Sequence, residues 1–252
     1  MGEAANLTPD PSPIGEEDRR ASDRMDTCLV IAAHPDDIES WCAGSVATLV
    51  RRGWRAVYVL CTSGEKGTSD PSERPEDVAT RREAEQTEAC RRVGAAAPVF
   101  LCLPDGGVED DATLRGLLVR EIRRHRPTLL ITHDPVHPWP PYTTHRDHRV
   151  AGRVALDAAY PYARDPLHFP EQLAAEGLRP HAVPEVWLFS SEQPDYYVDI
   201  ADGLDAKIAA RLAHASQTSD PEALAEAWRR RARETGEAGG LALAEAFKRL
   251  RL

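Results

Sequence analysis

Cys28-Leu29-Val30-Ile31-Ala32-Ala33 is an unbroken apolar run of strand length, and His34-Pro35-Asp36-Asp37 follows it without a spacer. A strand that is apolar at every position, not at alternate ones, is buried on both faces, as in a parallel sheet covered by helices. The chain on either side of this run fits that reading. Ile38 to Arg52 reads as a helix, with Ile38, Trp41, Cys42, Val46, Leu49 and Val50 apolar and Gly53 as its stop. Ala56 to Cys61 is a second strand, and a Gly/Ser/Asp/Pro-rich loop runs from Ser63 to Pro75.

The alternation continues. Glu76 to Val93 reads as a helix closed by Gly94, and Pro98 to Leu103 as the third strand. Asp111 is placed to cap a helix carrying Leu114, Leu117, Leu118 and Ile122, and Thr128 to Thr132 is the fourth strand. Strands alternating with helices at this spacing predict one doubly wound, Rossmann-like α/β domain with a mostly parallel sheet. Further on, Val186 to Phe189 and Tyr196 to Ile200 read as strands, Asp202 to Ala215 and Pro221 to Arg233 as helices. After a break at Glu237–Gly240 the composition predicts a last helix to Leu252.

Composition bounds the function without naming it. The chain has 252 residues, 42% hydrophobic and 29% charged, which is enough for one sizeable core. Its net charge of −10 argues against nucleic acid or an anionic membrane as the main partner. Cys28 to Ala33 is the longest apolar run, far short of the roughly 18 residues a membrane-spanning helix needs. Five cysteines without a CxxC pair, in mostly apolar settings, suit a reducing compartment, and the expected location is cytoplasmic. Residues 1–26 are polar and aperiodic and are expected to form a disordered tail, leaving 27–252 as the domain. The Ala/Arg-rich C-terminal helices leave homo-oligomerisation open.

In doubly wound folds ligands bind beyond the carboxyl ends of the strands. The residues there are His34 to Asp37, Thr62 to Glu65, Pro104 to Gly106 and His133 to Pro135, each set with a titratable group. Two adjacent carboxylates, Asp36 and Asp37, resist joint ionisation in a cleft unless a cation is present, although one Asp there could simply cap a helix. His145-Arg146-Asp147-His148 follows Thr143-Thr144, a candidate N-cap, so both histidines would face one way in a first helical turn. His145 or His148 could join the His34 turn if that helix packs beside the first strand. Two His and one Asp leave the fourth position of Zn2+ open, the catalytic arrangement.

These two motifs resemble the zinc-dependent LmbE-like (PIG-L-type) N-deacetylases, over roughly residues 28–252. Ser63 to Thr68, Arg82 to Gln86, Pro104-Asp105-Gly106, His214-Ala215-Ser216-Gln217 and Ala244 to Phe247 support the resemblance. It implies that His34, Asp37 and His148 ligate Zn2+ and that Asp36 is the general base. It implies further that His145, oriented by Asp147, stabilises the oxyanion and helps protonate the leaving amine. Arg82, Asp105 and Tyr142 are the implied substrate contacts. His133, Asp134, His137 and Trp139 lie on a loop that could line the cleft, and they read more simply as ordinary loop residues. His214 receives no role.

The function implied is removal of an N-acetyl or other N-acyl group from an amino sugar or related small molecule. An amidase of a larger thiol- or sugar-conjugate is the nearest alternative. A metal-dependent phosphoesterase would want a second metal and more ligands than these. A nucleotide-binding module would want a GxGxxG after the first strand, which is absent. Specificity is expected in the loops Gly64–Pro75, His133–Thr144 and Tyr160–Pro184.

Overall fold

The computed structural model describes residues 25–136 and 145–252. Its strands are β1 (Thr27–Ala32), β2 (Arg55–Thr62), β3 (Val99–Leu103), β4 (Leu129–His133), β5 (Glu185–Phe189), β6 (Tyr196–Asp199) and β7 (Ala244–Arg251). Its helices are α1 (Asp37–Trp41), α2 (Ala43–Arg51), α3 (Pro75–Val93), α4 (Ala112–His125), α5 (Arg146–Asp157), α6 (Pro170–Glu176), α7 (Leu204–Arg211) and α8 (Pro221–Gly239). The strands form one seven-stranded sheet in the order β3-β2-β1-β4-β5-β7-β6. The first five in that order run parallel, and β7 and β6 close the edge antiparallel. The domain is therefore the single, mostly parallel α/β layer expected.

Every residue of β1 is buried, and its two faces feed two different cores. Cys28, Val30 and Ala32 pack with α2 and α3 residues such as Val46, Leu49 and Ala89. Leu29, Ile31 and Ala33 pack with Leu114, Leu118 and Ile122 of α4 and Val154 and Ala155 of α5. This is why the run is apolar throughout: the period-2 alternation divides residues between two cores, with neither face left to water. Strand order reverses at β1, which pairs with β2 on one side and β4 on the other. The crevice for a ligand in such a sheet lies at that point, beyond the ends of β1 and β4.

Three features differ from the sequence reading. The helix expected over 38–52 is two helices that break at Cys42 (φ −138°). Glu245 causes the break to be tolerated: its carboxylate accepts the Gly44 and Ser45 N–H groups at 3.1 and 2.7 Å and so caps α2. Lys207 pairs with Glu245 and donates to the Ser40 carbonyl, tying the end of α1 to the same knot. Second, the last helix expected before Leu252 is the strand β7. Its backbone completes the ladder of β5, with Phe247 opposite Phe189 and fully buried, and sheet-edge pairing overrides the helical propensity of Ala, Glu, Lys and Arg. Third, the helix over Pro221–Arg233 continues to Gly239.

No described helix is long and apolar enough to cross a membrane. Apart from Met25 and Asp26, the tail expected over 1–26 lies outside the described residues.

Candidate metal centre and active site

The turn after β1 is unusual in its backbone. Asp36 has φ +88°, a left-handed conformation that costs a non-glycine residue roughly 1–2 kcal/mol and that Asp tolerates better than most. It precedes α1, yet its side chain makes no cap bond there. Asp37 does the local bonding instead, accepting the His34 N–H at 2.8 Å. The left-handed step thus separates two adjacent carboxylates into two environments.

Asp37 turns toward histidines. His148 Nε2 lies 3.0 Å from Asp37 Oδ1 and 3.2 Å from His34 Nδ1, and His34 Nδ1 lies 3.5 Å from Asp37 Oδ2. His148 reaches this point because Gly152 lets α5 press on β4: a Cβ there would collide with the His133 carbonyl. Ligand atoms bonded at about 2.0–2.1 Å around tetrahedral zinc stand about 3.3 Å apart, close to each of these contacts, although His148 and His34 approach different oxygens of Asp37. Taken with one ligand atom per residue, the sets that come within 4.8 Å of one another are His34/His145/His148, Asp37/His133/His148 and His34/Asp105/Asp147. Two imidazole nitrogens and one carboxylate, with His34 and Asp37 buried and His148 partly so, are also a donor set of catalytic zinc sites. The buried His/Asp cluster is compatible with a metal ion.

Around this triad the structure adds outer support. His34 Nε2 lies 3.2 Å from Asp105 Oδ1 and 3.4 Å from Asp147 Oδ2. Burial alone would lower the His34 pKa, but Asp105, Asp147 and Asp37 hold it well above the ordinary imidazole value. Burial likewise works against ionised Asp37, and the His148 and His133 rings hold its carboxyl well below the usual range.

Asp36 faces different partners. Its Oδ2 lies 3.7 Å from both the Arg82 and the Arg211 guanidinium. Burial and the neighbouring Asp37 charge nevertheless leave its pKa raised. A carboxyl poised this way is suited to accept a proton.

The remaining sequence candidates fall as follows. His145 is itself the N-cap of α5, its Nδ1 accepting the Asp147 N–H at 3.3 Å. That fixes the tautomer, leaving Nε2 protonated. Its ring centroid lies 4.9 Å from that of His34 and 5.2 Å from that of His148. Asp147 was expected to orient His145; its carboxylate instead accepts the Gly106 N–H at 2.7 Å and stands by His34. Only its backbone meets His145.

Arg82 and Asp105, the expected substrate contacts, are engaged by the protein itself. Arg82 donates to the Gly64 and Pro35 carbonyls at 2.8 and 2.7 Å, which pins the loops after β1 and β2 together. Gly64 (φ +66°) is required beneath it, since a Cβ would strike the guanidinium. Asp105 accepts the Lys66 N–H on one oxygen and faces His34 with the other. Tyr142, His137, Trp139 and the Thr143-Thr144 cap lie outside the described residues.

His133 is the residue that sequence reasoning undervalued. It ends β4, stacks on His148 with centroids 4.3 Å apart, and accepts the Ala33 N–H on Nε2. Burial and the nearby His148 charge push its pKa down to about 4, so it is a neutral wall of the cluster at pH 7. Its position at a strand's carboxyl end was the signal available.

A doubly wound sheet with a buried His/Asp cluster, compatible with a metal ion, at its switch point places the chain among α/β proteins with a ligand site beyond the strand ends. The family model described as PIG-L: GlcNAc-PI de-N-acetylase matches residues 29–159. The chain is 33% identical to the diacetylchitobiose deacetylase of Thermococcus kodakarensis, covering 79% of this chain and 72% of that protein. It is 29% identical to a 1D-myo-inositol 2-acetamido-2-deoxy-alpha-D-glucopyranoside deacetylase of Mycobacterium sp., covering 82% and 79%. The solved N,N'-diacetylchitobiose deacetylase of Pyrococcus horikoshii, in complex with its inhibitor MPG, superposes with a TM-score of 0.80 at 29% identity, over 89% of this chain and 84% of that one. The chain belongs to the PIG-L family.

Proposed function

We propose that the chain is a zinc-dependent N-deacetylase, hydrolysing the acetamide of an amino sugar or its conjugate to acetate and a free amine. The observation that carries this reading is the spacing of His34, Asp37 and His148, with Asp36 turned out of that set by its backbone. The two deacetylase relatives support the amino-sugar substrate.

His34, Asp37 and His148 would hold the zinc. A bound zinc supplies a Lewis acid for the amide carbonyl and brings the pKa of a water down to about 7. Asp36 accepts the proton of the attacking water. His145 Nε2–H donates to the oxygen as negative charge builds on it, a contribution typically worth about 3–4 kcal/mol of barrier. The proton held by Asp36 then serves the leaving nitrogen. Arg82 and Asp105 act by holding the Asp36 and His34 loops.

Asp147 is assigned to His34 as the carboxylate behind a ligand. Asp147→Asn is expected to weaken zinc affinity or activity about 10- to 100-fold, as such outer partners do. Competition with a chromogenic chelator reads the affinity, and unaltered zinc binding with unaltered kcat would remove that role.

The reading is tested by metal analysis and by amine release from N-acetylglucosamine, its glycosides and N-acetylchitooligosaccharides. About one zinc per chain and release of acetate are expected. Turnover of phosphate esters with no amide cleaved, or a stoichiometry near two, would overturn it in favour of phosphoester chemistry.

A further inference from the structure

Behind the Asp36 turn lies a chain of buried polar groups that the reaction above does not use. The Asp36 N–H donates to Gln86 Oε1 at 3.2 Å. Gln86 Nε2 donates to Glu39 Oε1 at 2.9 Å, and His214 Nε2 donates to Glu39 Oε2 at 3.2 Å. Gln86, Glu39 and His214 are each 0% exposed. A fully buried carboxylate is costly unless its oxygens are bonded, and Glu39 has one donor from α3 and one from the segment after α7. Three separate elements are therefore committed to one hydrogen-bonded line that ends on the Asp36 peptide.

That line complements the guanidinium pair. Arg82 and Arg211 face the Asp36 carboxylate, whereas Gln86 holds the Asp36 backbone in its left-handed state. Arg82 and Gln86 come from α3, Arg211 and His214 from α7 and the turn after it. Arg211 also donates to Ser40 Oγ and to Thr218 Oγ1, fixing that turn against α1. A left-handed non-glycine residue persists only where its surroundings over-determine it.

We propose that Glu39, anchored by His214 and acting through Gln86, is a positioning relay that holds Asp36 in the geometry from which it takes the proton. His214 is then a positioning residue, not a catalytic one. The inference rests on the deacetylase reading for its kinetic consequence and on the structure alone for its conformational one.

The test is His214→Leu, which removes the donor, beside His214→Gln, which keeps an N–H for Glu39. His214→Leu is expected to lower kcat about 10-fold or more, since small misplacements of a reacting group cost that much, with KM and zinc content unchanged. His214→Gln should restore most of the loss. In an Asp36→Asn background His214→Leu should produce no further fall, because the proton acceptor it positions is gone. A general loss of folded protein would instead lower the residual activity of that background too, and would overturn the proposal, as would His214→Gln performing no better than His214→Leu. Should the wild-type chain release no amine from any acetylated sugar, the functional reading fails separately. The relay is then read from a crystal structure of His214→Leu, where Asp36 is expected to leave the positive-φ region and a retained φ near +88° would refute it.

Discussion

Asp36→Asn is expected to retain about one zinc per chain and to lose about 10²- to 10⁴-fold in kcat, the usual worth of a positioned general base. Zinc should stay because the proposed ligands, His34, Asp37 and His148, contact one another without Asp36. Asn is the informative substitution, for it shares the tolerance of Asp for the left-handed backbone. Ala at the same φ adds a backbone penalty of about 1 kcal/mol or more and would mix a folding effect into the kinetics. Asn also keeps the shape that sits between Arg82 and Arg211 while removing the charge they face. Single-turnover rates of acetate release beside metal content decide the matter. An unchanged kcat would take the proton-acceptor role from Asp36, and zinc lost together with activity would mean that Asp36 belongs to the ligand set.

How much of this was legible beforehand depended on whether local chemistry or distant packing decides each feature. The parallel strands were plain because burial on both faces leaves a continuous apolar run, and β1 is buried along its whole length. The HPDD and HxDH segments were plain because their residue types have few common purposes together. β7 was hidden: its charged side chains mask a strand whose identity is set by the free edge of β5. The break at Cys42 was equally hidden, since the cap on α2 comes from Glu245, about two hundred positions along the chain. Asp147 illustrates the same limit inside the site. The family resemblance implied service to His145, but the first turn of α5 puts the carboxylate under Gly106 and beside His34.

The loop Tyr160–Pro184, where specificity was expected, begins away from the His/Asp cluster. Tyr160 follows α5 at its carboxyl end, whereas His148 stands in its first turn. At 1.5 Å per residue the two are separated by about 18 Å along the helix, so this segment starts at the far end of α5 from the His34/Asp37/His148 cluster. What it does have is a buried arginine at its centre.

Arg123, 2% exposed, sends its guanidinium into that segment and forms no ion pair among the described residues. It donates instead to the carbonyls of Tyr162, Ala163, Asp165, His168 and Phe169, at 2.8 to 3.2 Å. Five backbone acceptors that would otherwise be orphaned are gathered by one rigid fork, which Lys, a single point charge with three donors, cannot reproduce. Arg123→Met should therefore cost about 3 kcal/mol or more, from several charged hydrogen bonds that are not additive. At roughly 2–4 °C per kcal/mol for a chain of this size, the melting temperature should fall by about 6–12 °C. Arg123→Lys should recover only part of that. Because the segment lies away from His34, Asp36 and His148, kcat of the folded Arg123→Met protein should match the wild type well below its melting point. Calorimetry with hydrogen exchange over residues 158–176 reads the first expectation, and steady-state kinetics the second. An unchanged melting temperature would show that water satisfies those carbonyls unaided. A fall in kcat without a fall in stability would mean that the two ends of α5 are coupled.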